Sequence, residues 1–163
     1  MVNKPSKLKI VFLVLVVVWM GVIFAYSART AEDSTEQSRW LGKLFGSIVV
    51  ADWDDWTPEQ QEAFADKWDH PIRKAAHMTE YAILGALLCA LLISWPLDLK
   101  KALYAAILIG IFYAATDEFH QLFVPGRAGR LSDVGIDSVG VVLGSLLSRG
   151  MHLLAGKTKK ADV

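Results

Sequence analysis

Residues 8–26 read LKIVFLVLVVVWMGVIFAY, and this stretch decides the fold class of the chain. No charged residue lies between Ile10 and Tyr26. A helix of this length covers about 28 Å, which is close to the roughly 30 Å thickness of a bilayer's hydrocarbon core. A signal peptide usually has a shorter apolar core, so we expect an uncleaved helix that spans the membrane.

The composition of the whole chain also indicates a membrane protein. Of its 163 residues, 53% are hydrophobic and only 21% are charged, and the mean hydropathy is +0.35. The apolar residues collect in long runs, which a soluble domain with a polar surface does not show. The 17 basic residues balance 17 acidic ones, so no basic excess exists to neutralise nucleic-acid phosphates. We therefore expect the lipid bilayer as a partner and no nucleic acid, and we exclude a soluble enzyme and a disordered tail.

Three further apolar runs predict membrane-spanning helices at about 75–95, 101–124 and 134–154. The middle run loses its apolar character at Asp117 and Glu118. A helix that stopped there would be short for a bilayer, so we expect it to continue toward Val124. Gly140 and Gly144 form a small-xxx-small step that lets a neighbouring helix approach closely. The sequence thus predicts one all-α domain over residues 1–163, a polytopic bundle of four transmembrane helices.

The distribution of lysine and arginine predicts how this bundle is oriented. Nine of the 17 basic residues lie in the short segments 1–9, 96–101 and 149–163. The other eight are spread over the longer segments 27–74 and 125–133. Cytoplasmic loops carry an excess of basic residues, so we expect both termini in the cytoplasm and the two longer segments on the outer side.

The predicted outer loop, residues 27–74, carries the patterns of short amphipathic helices. Apolar residues recur at helical spacing over residues 41–48, and residues 57–60 read TPEQ, the signature of a capping box. Tryptophans are concentrated in this loop, at Trp53, Trp56 and Trp68. They suit a membrane interface, and a second interpretation is that they cover the polar site described next.

Most ionisable side chains of the later helices fall at one predicted membrane face, because alternating helix directions bring three polar helix ends together there. The candidate ligand-binding residues are Lys74, His77, Glu80, Tyr81, Asp117, Glu118, Gln121, Arg127, Arg130, Asp133 and Asp137. An ionisable residue inside a membrane helix costs about 3 kcal/mol, so it normally faces the bundle interior, a partner or water. Two interpretations stay open: a salt-bridged ring that fixes helix register, and an outward pocket that binds an anionic head group.

The residue types in this set limit the chemistry. An arginine such as Arg127 recognises phosphate or carboxylate with its planar fork of donors. The best acid–base candidates for a catalytic alternative are His77, Glu80, Asp117 and Glu118. No serine or cysteine has the setting of a nucleophile, so no catalytic residue is assigned. We expect no metal and no cofactor, because the spacing of the histidines matches no compact ligand motif.

Two stretches resemble signatures of the VanZ-like membrane protein family: KAAHMTEYAILG at residues 74–85 and TDEFHQLFVPGR at residues 116–127. The similarity continues through Asp133, Asp137 and Gly140, although family members often carry asparagine where Asp137 stands. The resemblance implies a protein of the bacterial cytoplasmic membrane. The founding member of that family is associated with low-level resistance to the glycopeptide teicoplanin.

The resemblance favours the pocket over the salt-bridged ring. It implies a cell-envelope protein whose outward pocket engages a lipid-linked or anionic head group and thereby lowers susceptibility to glycopeptide antibiotics. Two alternatives stay open at this point. One is a membrane-embedded hydrolase or transferase acting on a lipid-linked envelope precursor, and the other is a structural or partner-binding bundle.

Overall fold

The computed structural model describes residues 7–161, and side chains as far as residue 155. This part of the chain forms five α-helices and one 3₁₀ turn and contains no strand, which confirms the all-α prediction. The helices are α1 (Lys7–Ser27), α2 (Ala31–Val49), α3 (Pro58–Ile93), α4 (Leu99–Gln121) and α5 (Leu131–Ala161), and the 3₁₀ turn is Trp53–Asp55. All except α2 are long and apolar enough to cross a membrane. Lys4 and the side chains of Lys157, Lys159 and Lys160, which belong to the predicted cytoplasmic segments, lie outside the described part.

Helix α3 is the centre of the bundle, since it packs against each of the other four helices. It runs antiparallel to α1: Lys9 lies over the ring of Trp95 at one end, 5.2 Å from the ring centroid, while Trp19 Nε1 donates to the Glu80 carbonyl further along, at 2.9 Å. Tyr113 on α4 donates to the Met20 carbonyl at 2.7 Å. These bonds tie α1 to its two neighbours.

The closest helix contact, between α3 and α5, depends on glycine. A Cβ atom on Gly144 would lie 1.7 Å from the Ala82 carbonyl oxygen, and one on Gly140 would lie 2.2 Å from that of Met78. On the opposite side, Gly85 packs against the backbone of Val141. The predicted small-xxx-small packing is therefore confirmed, and its partner is α3.

The outer segment differs from the predicted loop. Helix α3 begins at Pro58, not near residue 75, and continues through Pro71 for 36 residues. Together with α2 it makes an antiparallel hairpin, which we call the outer hairpin after the side of the membrane predicted for it. The predicted capping box is present at its start, because the Thr57 and Gln60 side chains each bond the other's backbone N–H. Pro71 removes only one helical hydrogen bond. Packing against α2 stabilises the polar first part of α3, a segment whose sequence pattern predicts a loop.

The three tryptophans of the outer segment hold this hairpin together. Trp53 is buried and lies 5.5 Å from Trp56 and 5.3 Å from Phe64, measured between ring centroids. Trp68 packs edge-on against Phe45 of α2 at 5.0 Å. These rings contact one another, and their place at a membrane interface stays a prediction.

The ends of the last two helices also differ from the prediction. Helix α4 ends at Gln121 and not near Val124, because Pro125 disfavours helical backbone at the residue before it. Gly126 then turns the chain with φ of +73°, which suits glycine. Helix α4 still reaches 23 residues because it begins at Leu99, and α5 begins at Leu131, three residues earlier than predicted.

Candidate functional site

Polar segments from all five helices meet at one end of the bundle. The Ala31 amide at the start of α2 donates to the Pro125 carbonyl at 3.3 Å, which joins the outer hairpin to the loop after α4. Lys74 in the middle of α3 forms an ion pair with Asp133 in the first turn of α5. Ser27, the last residue of α1, neighbours the carboxyl group of Asp117 on α4.

Between these segments lies a cavity of about 190 Å³, which we call the cationic cavity. Most of its polar lining is basic: His70, Arg73, Lys74, His77, Arg127 and Arg130, with Asp133 as the one carboxylate and Gln121 as a neutral amide. Liquid water occupies about 30 Å³ per molecule, so the cavity has room for roughly six waters. It is smaller than the roughly 300–1,000 Å³ that encloses a drug-sized ligand. A head group fits this space, whereas a whole antibiotic does not.

Arg127 differs from the neighbouring cations in what it contacts. Lys74 is paired with Asp133, and Arg73 is paired with Asp69. The Arg127 guanidinium instead donates to the Ser34 hydroxyl and, from Nε, to the Arg29 carbonyl at 3.3 Å. Neither acceptor is charged, and no ion pair of Arg127 occurs among the described residues. Within this part of the chain its positive charge therefore has no carboxylate at ion-pair distance, and Glu118, Asp117 and Glu80 act on it only from further away.

Burial and the nearby Arg73 guanidinium both lower the pKa of Arg127 from its ordinary value. An arginine still keeps its proton in a protein, so Arg127 stays positively charged although burial and the Arg73 charge make the charged state less favourable. An anion in the cationic cavity would relieve that penalty.

A smaller cavity of about 80 Å³ adjoins the first, and His77, Arg73 and Arg127 line both. Glu80 lies on its wall, opposite residues from the first turns of α2 such as Ser34. The start of α2 thus covers this part of the site, whereas the tryptophans further along the outer hairpin do not line either cavity.

A buried polar layer lies deeper in the bundle. Asp117, Gln121 and Asp137 are each at least 97% buried, and Tyr81 is fully buried beside them. Within the described residues, the carboxylate oxygens of both aspartates, the Tyr81 hydroxyl and the Gln121 amide nitrogen make no hydrogen bond of ordinary geometry. The Asp137 carboxyl group faces the His77 imidazole, whose Nδ1 lies 3.9 Å from its Oδ1.

The structure divides the sequence-predicted site residues into groups. The cationic cavity is lined by Lys74, His77, Gln121, Arg127, Arg130 and Asp133, and Glu80 lies on the adjoining cavity. Tyr81, Asp117 and Asp137 belong to the buried layer. Glu118 accepts a hydrogen bond from the Arg130 amide at 2.9 Å and so holds the loop that precedes α5. Of the four acid–base candidates, only His77 lines the cationic cavity.

Sequence reasoning missed His70 and Arg73 on the cavity wall, and Ser34 as the partner of Arg127. His70, Arg73, Lys74 and His77 are spaced as one face of a helix, so the signal existed. This spacing was overlooked because the sequence pattern predicts a loop, and not a helix, before residue 75. Ser34 comes from a separate helix, and no local pattern connects it with Arg127.

In the described part of the chain, no group of three or more His, Cys, Asp or Glu side chains is placed to hold a metal ion. His120 packs against the ring of Phe24 with the ring centroids 4.6 Å apart. The basic side chains that line the cationic cavity are suited to holding an anion.

Comparison with known proteins gives one match. A family model described as VanZ/LLP1 matches residues 12–154, nearly the whole chain and including every helix. No curated protein and no solved structure matches the chain.

Proposed function

The chain belongs to the VanZ/LLP1 family, and from this premise we propose that it is a cell-envelope membrane protein that binds an anionic or lipid-linked head group. The cationic cavity is the binding site, and it opens toward the outer side of a bacterial cytoplasmic membrane. Occupation of the site by lipid head groups alters how lipid-seeking glycopeptides such as teicoplanin reach the outer leaflet, which lowers susceptibility to them.

The observation that carries this proposal is the unpaired guanidinium of Arg127. It lies half-buried on the wall of a cavity that contains five further basic side chains and one carboxylate. Lys74 and Arg73 are largely neutralised by their own carboxylates, so Arg127 is the principal anchor and Arg130 a second. The Gln121 side chain lines the same wall as a neutral polar group next to the Asp117 carboxyl group.

The test is binding of phosphatidic acid to the purified full-length protein in a mild detergent. Removing a hydrogen-bonded charged group costs about 1.5–3 kcal/mol, so Arg127→Ala is expected to weaken binding roughly tenfold to a hundredfold. Arg127→Lys is expected to lie between, because lysine keeps the charge but not the planar fork. Expression in a teicoplanin-susceptible bacterium is expected to raise tolerance with wild type and not with Arg127→Ala.

The matched control is Arg39→Ala, which removes an arginine of the outer hairpin that pairs with Asp66 at 2.6 Å and lines neither cavity of the site. Its affinity for phosphatidic acid should equal that of wild type. Equal affinity of correctly folded Arg127→Ala would remove the proposal.

A second candidate function is a membrane-embedded hydrolase or transferase that acts on a lipid-linked precursor. It is favoured by His77, which lines the cationic cavity while its Nδ1 faces the buried Asp137 carboxylate. A carboxylate that hydrogen-bonds an imidazole can orient it for acid–base work, and closing this 3.9 Å gap would give the pair that geometry. Turnover of extracted bacterial lipid that is lost in His77→Gln would support catalysis, whereas binding without turnover supports the head-group site.

A further inference from the structure

A third cavity lies beside the cationic cavity, on the side of the bundle where α4 and α5 meet. It has a volume of about 280 Å³. Its apolar walls come from the last turns of α4 and the first turn of α5, and include Ala115, Phe119, Leu122, Leu131 and Val134. We call it the apolar groove.

Arg130 joins the two spaces, because it lines both the cationic cavity and the apolar groove. Its backbone N–H donates to Glu118 at 2.9 Å, and Gly129 packs so closely on the Glu118 carbonyl that a Cβ atom would lie 2.3 Å from the oxygen. These contacts hold the loop before α5 against α4. The loop therefore lies between the two spaces, and a molecule that extends past the Arg130 side chain would reach from one into the other.

The outer rim of the apolar groove faces away from the bundle. Leu131 is 91% exposed and Phe119 is 63% exposed, on two helices that are each long and apolar enough to cross a membrane. In a bilayer Phe119 contacts hydrocarbon, and Leu131, at the predicted membrane surface, lies at the interface between lipid and water. The groove is therefore open to lipid, while the basic side chains on the other side of Arg130 attract an anion.

We infer that the bound anion is the phosphate of a membrane lipid, whose hydrocarbon chain lies in the apolar groove between α4 and α5. This inference rests on the proposed function and adds the source of the anion and the direction from which it enters. Inorganic phosphate has the same charge chemistry and can occupy the cationic cavity, but it leaves the groove empty. The ligand class is a lipid phosphate that enters sideways from the bilayer.

The test compares dodecyl phosphate with inorganic phosphate on the purified full-length protein in dodecyl maltoside. Ala115→Phe fills the groove from an exposed position outside the core. Forcing bulk into occupied space costs about 1–3 kcal/mol, so dodecyl phosphate should bind roughly fivefold more weakly or worse. The affinity for inorganic phosphate should be unchanged. Leu131→Trp, at the exposed rim, is a second variant with the same expected direction.

The control is Leu108→Phe, which places a phenylalanine at an exposed position of the same helix outside the groove and should change neither affinity. Because detergent micelles concentrate dodecyl chains, the decisive comparison is between variants and not between ligands. Folding is checked by helical circular dichroism and elution volume. If both groove variants fold and bind dodecyl phosphate as wild type does, the chain does not lie in the groove and this inference is overturned. Binding of neither ligand to wild type would instead overturn the proposed function.

Discussion

Lys74 and Asp133 are the clearest case at the residue scale of a charge pair that belongs to the architecture. They connect α3 with α5 across the polar end of the bundle, and both side chains are largely shielded from solvent. On residue types alone, both a salt-bridged ring and a binding pocket stayed open, with the ring slightly ahead. The structure contains elements of both. Lys74 and Asp133 form an ion pair with each other, whereas Arg127 donates only to uncharged acceptors.

We predict that Lys74 and Asp133 are energetically coupled. Lys74→Asp alone places two carboxylates together and should lower the unfolding temperature, while the exchange Lys74→Asp with Asp133→Lys should restore most of the loss. Coupling between contacting residues is typically 0.5–3 kcal/mol, and we expect about 1 kcal/mol or more for this pair. Thermal unfolding of the four proteins of a double-mutant cycle in detergent measures it.

The pair Lys43 and Glu62 on the outer hairpin provides the comparison. Both of its side chains are more than 40% exposed. Exposed ion pairs contribute about 0–1 kcal/mol, so the same exchange there should show weaker coupling. Additive effects at Lys74 and Asp133 would mean that the pair does not hold α5 to α3.

At the scale of elements, the contact between α3 and α5 fixes where the site residues of both helices lie. Lys74 and His77 project from α3, and Asp133 and Asp137 project from α5, so their distances depend on how closely the helices approach. The glycines at 140 and 144 allow the backbones to touch. A looser contact would separate the two halves of the site.

We predict that Gly144→Ala lowers the stability of the protein by more than the addition of a single methyl group usually does. The new Cβ would lie 1.7 Å from the Ala82 carbonyl oxygen, which is backbone and has no rotamer by which to move away. Overpacking typically costs about 1–3 kcal/mol, and a collision with backbone should reach the upper end. The unfolding temperature in detergent and the affinity for phosphatidic acid should both fall.

Gly135→Ala is the control on the same helix, because nothing lies within 4 Å of the position that a Cβ atom would take there. Alanine is favoured over glycine in a helix by about 1 kcal/mol, so this variant should be as stable as wild type or more so. Equal stability of Gly144→Ala and Gly135→Ala would show that α3 and α5 do not pack closely through these glycines.

Helix boundaries show how far the sequence determines the elements and where it does not. The capping box at Thr57 and the glycine step on α5 are local patterns, and both are present as predicted. The continuity of α3 through Pro71 is not local, since it depends on α2 packing along the polar half of that helix. The same non-local contact brings His70 and Arg73 into the site.

At the scale of the whole molecule, the neutral charge balance conceals a strong separation along the chain. Ten acidic residues lie between Glu32 and Asp69, while the segments predicted to be cytoplasmic hold nine basic residues. This pattern and the four apolar runs were enough to predict the bundle and to bring the candidate residues to one end. They were not enough to predict the partners within that end, because Ser34, Asp69 and Arg127 come from segments far apart in the sequence.

The orientation of the bundle is a prediction that thiol labelling can decide. Asp54 is exposed in the 3₁₀ turn at the tip of the outer hairpin, and Thr158 follows the apolar part of α5. About 25 Å of helix separates Pro58 from Lys74, so the tip lies well away from the predicted membrane surface. In intact cells, an impermeant thiol reagent should label Asp54→Cys directly and Thr158→Cys only after permeabilisation. The native Cys89 is fully buried, so the parent protein should stay unlabelled and serves as background. Labelling of Thr158→Cys from outside would show that the bundle has the opposite orientation. The cationic cavity would then lie at the cytoplasmic face, where it could not act on glycopeptides at the outer leaflet.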